Sequence, residues 1–299
     1  MSLLLDTWTA AVARALATHA SVLRQPAPRQ WSFAVGDARA LAVEARLTPE
    51  WLLFDAPLPS SLAAVDRGAE LLAINAALAP GLRLCTAAGD PRLRLRAELP
   101  VLEEMAIARR VERLCDGMAA AERGLASSAV AGVLPTPGET AQLTSAADCD
   151  LQRLCGDTGW THTPRHGGAV MIELDVPGSF RQAMLDHWRV GGVAVSVPVL
   201  AEMPSSALCA GAVVRFILAL TGTVRMVSAV AAGSIDFGIR FEQPPAAEEL
   251  AHALSALSIA CRFGSREVGI LARDEHVARL YLAASGDRQT DAEANTHTT

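Results

Sequence analysis

Lysine is absent from the 299 residues, so all 26 basic side chains are arginine. That absence excludes Schiff-base and pyridoxal lysines, P-loop and kinase lysines, and the Ser-x-x-Lys nucleophile. Aromatic residues are scarce at 4 %, with a single tyrosine. A nucleic-acid surface wants a basic patch or stacking rings. A chain of net charge −6 with few rings offers neither, so no nucleic-acid partner is expected. No Cys-x-x-Cys pair occurs among the six cysteines, most of which lie in apolar runs and read as small hydrophobes in a reduced, cytoplasmic protein. Long apolar runs are missing as well. The greasiest stretch, Ala207 to Leu220, is interrupted by Arg215 and falls short of the roughly 18 residues of a spanning helix. Asp6 and Arg14 break up the N-terminal segment where a secretory signal needs an unbroken apolar core. No membrane partner and no cofactor are expected.

What is present is a chain 51 % hydrophobic, ample for a sizeable core. Leu4, Trp8, Val12 and Leu16 fall on one face of a helix read from Leu3 to about Arg24, which Pro26 and Pro28 end. Three strand-like stretches follow, QWSFAVG, ALAVEARL and WLLFDAPL, separated by turn signals. A helix over Leu62–Ala79, the hairpin GLRLCTA–RLRLRAEL and a helix over Val101–Leu125 complete this half, with Glu103 and Glu104 placed near the last helix's positive end. Between Ser127 and Ala147 the composition turns to Ser, Thr, Gly and Pro, as in a linker.

The pattern then repeats with a period of about 140 residues. A short helix near Cys149–Leu154 leads into AVMIELD, SFRQAML and GVAVSVPVL, then a helix over Ser205–Leu220, a hairpin, and a helix opening on Glu248 and Glu249. Superposing the hairpins sets Leu82 and Leu84 over Val224 and Met226, and Leu93 and Leu95 over Ile235 and Phe237. The expected organisation is a first repeat over 1–125, a linker over 126–147, a second repeat over 148–285, and a disordered polar tail over 286–299.

Helix, three strands, helix, two strands, helix resembles the type III secretion chaperone fold, the Tir-chaperone-like superfamily. The resemblance is strongest in LLAINAALAPGLRLCTAAGDPRLRLRAELP and its echo VVRFILALTGTVRMVSAVAAGSIDFGIRFEQP. It implies an α+β protein of two tandem chaperone-like domains, each an antiparallel sheet of about five strands packed with helices. It also implies a binding module that holds a partly unfolded partner chain. Family chaperones are single small domains that dimerise, so a duplicated chain is expected to form an intramolecular pseudo-dimer, monomeric as a particle.

Residues with chemistry to offer are few. Cys149, Cys155, His162 and His166 are weak candidates for a metal site, because the proline in HTPRH breaks a compact ligand set; a solvated loop is the plainer reading. His187 beside Asp186 and His252 near Glu249 could be acid–base pairs, but no nucleophile motif accompanies them. The turns AGDP and AAGS lack a phosphate-loop pattern. Arg92, Arg94 and Arg96 alternate along one strand and could grip an acidic partner segment, against the plainer reading of a solvated face. Ala207 to Leu220 is apolar nearly all round, so Val213, Phe216, Ile217 and Leu220 are expected at an interface. The favoured function is a non-enzymatic chaperone or adaptor for a protein client. The alternatives are a structural subunit of a larger assembly and, last, a metal-dependent enzyme.

Overall fold

The computed structural model describes residues 2–20, 22–36, 41–58, 68–87, 90–102, 107–126, 149–176, 181–188, 191–232 and 234–296. The expected linker, Glu103, Glu104 and the turn residues Ala88, Gly89 and Gly233 fall outside them. The first half runs α1 (Ser2–His19), β1 (Val22–Ala27), β2 (Gln30–Val35), β3 (Leu41–Leu47), β4 (Trp51–Pro57), α2 (Gly68–Ala77), β5 (Leu82–Ala87), β6 (Asp90–Pro100) and α3 (Ile107–Ala126). The second runs α4 (Leu151–Thr158), β7 (His162–Pro164), a single 3-10 turn (His166–Gly168), β8 (Val170–Leu174), β9 (Arg181–Trp188), β10 (Gly192–Leu200), α5 (Ala207–Thr223), β11 (Ser228–Ala232), β12 (Ser234–Phe241) and α6 (Ala247–Leu271). A further helix, α7 (Glu275–Thr296), follows.

Each half is an antiparallel sheet of six strands, one more than the sequence suggests. Strand order is β5-β6-β4-β3-β2-β1 in one and β11-β12-β10-β9-β8-β7 in the other, the same order element for element. The additional strands are the outer edges. The helix expected to run to about Arg24 stops at His19, and Pro26 is accommodated in edge strand β1 where the register with β2 breaks between Arg24 and Ala27. β7 is only three residues long and ends in Pro164.

Alternation sets which face of each sheet is wet. In β3, Leu41, Val43, Ala45 and Leu47 are buried, while Ala42, Glu44 and Arg46 point to solvent. The buried face carries α3, which packs on β2, β3 and β5, as α6 packs on β8, β10 and β12. Phe33 and Phe54 meet edge to face at 6.2 Å inside the first layer. On α1 the inward stripe is Leu5, Val12, Ala15 and Leu16; Leu4 is exposed and Trp8 half-buried, so the face is rotated from the expected one. The hairpin superposition also slides. Leu84 lies opposite Leu95, and the residue opposite Phe237 is Ala229. Val224 instead caps α5, and Met226 occupies the turn before β11 with φ +66.

The halves meet reciprocally: α2 packs on β11 and α5 packs on β5. Gly222, at the end of α5, approaches so closely that a Cβ there would sit 1.7 Å from the Thr86 carbonyl oxygen. Asn75 of α2, fully buried, joins both inner edge strands. Its amide donates to the Ala229 carbonyl at 2.9 Å, and its oxygen accepts from the Leu84 N–H at 2.6 Å. The outer side of α5 is covered by the first turns of α7, within the stretch expected to belong to the second repeat. Phe216 meets the Tyr281 ring at 6.0 Å, and Arg215 donates to the Ser285 carbonyl at 3.0 Å.

Two seam substitutions test this packing. Asn75→Ala strands buried backbone groups of β5 and β11 and should cost about 3 kcal/mol in urea unfolding. Ile217→Asp buries an unpaired charge and should cost about 4 kcal/mol or more. Losses under about 1 kcal/mol for both would contradict the described seam.

Candidate functional site

Of the expected interface residues on α5, Val213 and Ile217 are fully buried, while Phe216 and Leu220 are half-buried. Phe216 faces α7, and the Leu220 side chain lies against Gly264 of α6, where a Cβ would be 2.5 Å away. These residues serve contacts within the chain.

The arginine row on β6 is likewise engaged. Arg92 donates to Asp90 at 3.0 Å, and Arg94 donates to both Asp90 and Asp55. Arg96 donates to Asp55 and, across the seam, to the Gly222 carbonyl at 2.7 Å. Partial burial alone would raise the Asp90 carboxyl, but the hydrogen bonds from Arg92 and Arg94 outweigh it and hold Asp90 well below the usual carboxylate range.

The cysteine and histidine candidates do not converge. Among the described residues no three His, Cys, Asp or Glu side chains form a group able to hold a metal. Cys155 is buried in α4, and its burial pushes the thiol up to about 11. His162 lies on β7 with Nδ1 2.9 Å from the Trp160 carbonyl, and His166 opens the 3-10 turn. The Asp186 carboxylate accepts from the His187 backbone N–H, and the acid near His252 is Glu248 at 4.0 Å, not Glu249.

Glu249 belongs instead to the seam. It is buried and takes both guanidinium nitrogens of Arg110 from α3, one of them at 2.7 Å. One turn along, Arg113 donates to Glu242 at 2.7 Å. Glu98 of β6, also buried, accepts from Arg83 and from the Met226 N–H at 3.2 Å, while Arg83 donates to the Thr221 carbonyl at 3.0 Å. Arg240 donates to the Asn75 and Ala76 carbonyls, each at 2.5 Å. Arg225 lies over the Trp51 ring at 4.7 Å. Between α3, β6 and β12 these groups leave a cleft of about 350 Å³, floored by Leu99, Leu114, Ile239 and Phe241.

A second feature lies on the far side of α6. Ile259, Phe263 and Ile270 are 47 %, 57 % and 37 % exposed. At 3.6 residues per turn they fall within about 40° of one another, a single stripe some 16 Å long. Arg262 and Arg266 stand exposed along one flank of the stripe and Glu267 along the other, and the Arg262 guanidinium lies 5.6 Å from the Phe263 ring centre. The corresponding helix of the first half, α3, exposes no large apolar side chain among its residues of described burial. It lies under the eighteen-residue α1, whereas α6 has the eight-residue α4.

Neither the cleft nor the stripe is apparent from sequence periodicity. The cleft joins residues of the two repeats that are far apart in the chain, and an exposed stripe shares the spacing of a buried one. No protein-family model, curated protein or solved structure matches the chain. Among the described residues no helix is long and apolar enough to cross a membrane.

The cysteines supply a direct check on burial. Five are buried, and Cys149 alone is half-exposed. Burial pushes Cys115 up to about 12 and Cys261 up to about 11. Titration of native protein with dithiobis(nitrobenzoic acid) at neutral pH should modify one thiol readily and the remainder only after unfolding. Several fast thiols would contradict the packing of α3, α4 and α6.

Proposed function

We propose that the chain is a non-enzymatic protein-binding module, a chaperone or adaptor of the type III secretion chaperone-like kind, working as an intramolecular pseudo-dimer. It holds a helical segment of its partner on the outer face of α6. The stripe of Ile259, Phe263 and Ile270 carries this reading, because apolar side chains this exposed and aligned mark an interaction surface. Arg262 and Arg266 along one flank favour a partner segment whose apolar face is bordered by acids on that side.

Strand addition is the less favoured mode. Both outer edges carry proline: Pro26 in β1, whose register breaks between Arg24 and Ala27, and Pro164 at the end of β7. Such features discourage pairing with another chain.

The probe is a synthetic amphipathic helix of about five turns, leucine on one face and glutamate on the other, followed by fluorescence anisotropy. It should bind, weaken as salt rises, and lose at least tenfold in affinity to the double variant Ile259→Asp, Phe263→Asp. Because both positions are exposed, the variant should melt close to the parent. Equal binding of a lysine-faced peptide, or no effect of the double variant, would overturn the reading.

The pseudo-dimer has its own test. Analytical sedimentation should show one chain per particle across a range of concentrations. A stable dimer of chains would require the seam contacts to be made between molecules.

A further inference from the structure

The cleft at the seam is distinct from the α6 stripe, and its chemistry is different. Its walls come from both halves: Leu99, Leu102 and Leu114 on one side, Met226, Ile239 and Phe241 on the other. A volume of about 350 Å³ lies in the lower range of pockets that take small ligands or a short chain end. It is too small for an extended client segment.

The charges sort into two groups. Deep in the cleft, Glu249 is neutralised by Arg110, and Glu98 by Arg83 and the Met226 N–H. These carboxylates and guanidiniums satisfy one another and are not available to a guest. Arg240 is committed to the carbonyls of Asn75 and Ala76. At the rim the balance differs. Arg109 and Arg113 sit one turn apart on α3, both lining the cleft. Arg109 is exposed and meets no acid among the described residues. Among the described residues Arg113 is matched only by Glu242, and that pair is open to water, 32 % and 53 % exposed. A surface pair of this kind is worth little, so an incoming anion displaces Glu242 at small cost. Four arginines against three glutamates line the cleft, an excess of cation in a chain of net charge −6.

We infer that the cleft binds a carboxylate with an apolar tail. The carboxylate sits between Arg109 and Arg113, where a guanidinium can donate two parallel hydrogen bonds. The tail lies against Leu99, Leu102 and Phe241. Two sources share this chemistry, a free alkyl carboxylic acid and the C-terminus of a peptide ending in an apolar residue. The site lies apart from the α6 stripe, so its failure would leave the protein-binding reading standing.

Isothermal titration of the full chain with octanoate is the test, with octanamide as the neutral tail and acetate as the headgroup alone. One saturable site is expected for octanoate, with octanamide and acetate each at least tenfold weaker. Arg109→Ala and Arg113→Ala should each weaken octanoate at least tenfold. Arg92→Ala, which removes an exposed arginine outside the cleft, should leave it unchanged. Melting temperatures without ligand come first; Arg109→Ala should match the parent, since Arg109 is exposed and has no acid partner among the described residues. A hexapeptide ending in leucine, compared with its C-terminal amide, separates the sources. A free-acid peptide tighter than octanoate assigns the site to a chain end, and the reverse order assigns it to a free acid. Equal affinity for octanoate and octanamide, an Arg92→Ala effect as large as that of Arg109→Ala, or no saturable binding would overturn the inference.

Discussion

Helix α5 has almost no face it can leave in water, and the arrangement of its neighbours follows from that constraint. Cys209, Ala212, Val213, Ile217 and Leu218 point in several directions round the axis, so one sheet cannot cover them all. The first repeat supplies β5 and α2, the second supplies α6 and β11, and α7 closes what is left. Burying such a helix draws the two inner edge strands, β5 and β11, into the same interior. Their unpaired backbone groups then need partners, and the side chain of Asn75 provides them, while Arg83 of β5 answers the Thr221 carbonyl near the end of α5. The polar contacts of the seam are thus a consequence of its apolar centre.

Much of this architecture was legible in the chain. Alternation in LAVEARL identified a strand with one wet face, alternation in RLRLRAEL one with a charged face that the seam largely covers, and the repeated order identified two equivalent sheets. Apolar crowding between Ala207 and Leu220 announced a helix in need of neighbours. The edge strands were not legible because Pro26 and Pro164 read as breaks; only their place at the margin of a sheet makes proline acceptable there. The coverage of α5 by α7 was missed for another reason. Its contacts, such as Phe216 with Tyr281 and Arg215 with Ser285, are tertiary, and nothing in the spacing of Tyr281 and Ser285 names the distant helix they meet. Glu249 looked like an acid at a helix start until its partner, Arg110, was placed beside it from the other repeat.

The absence of lysine acquires a structural meaning at the seam. Arg83 reaches a carbonyl and a carboxylate at once, Arg110 holds both oxygens of one carboxylate, and Arg240 spans two successive carbonyls. Each task uses the spread of donors on a planar guanidinium, which an ammonium does not offer in fixed geometry. The same property bears on the α6 stripe, where Arg262 lies near the Phe263 ring while remaining exposed.

Joining the halves in one chain also makes their seam directional. In a symmetric dimer any side chain facing the axis meets its own equivalent, and a cation must be answered by an acid in the same sequence. Here Arg110 and Arg113 belong to the first half, and their acids, Glu249 and Glu242, to the second. Two first halves pressed together would set arginine against arginine, and two second halves would bring glutamates together. The charge pattern therefore discriminates against pairing of like halves from neighbouring molecules. It does not tell a second half on the same chain from one on another copy; the covalent link does that, by raising the local concentration of the half it carries.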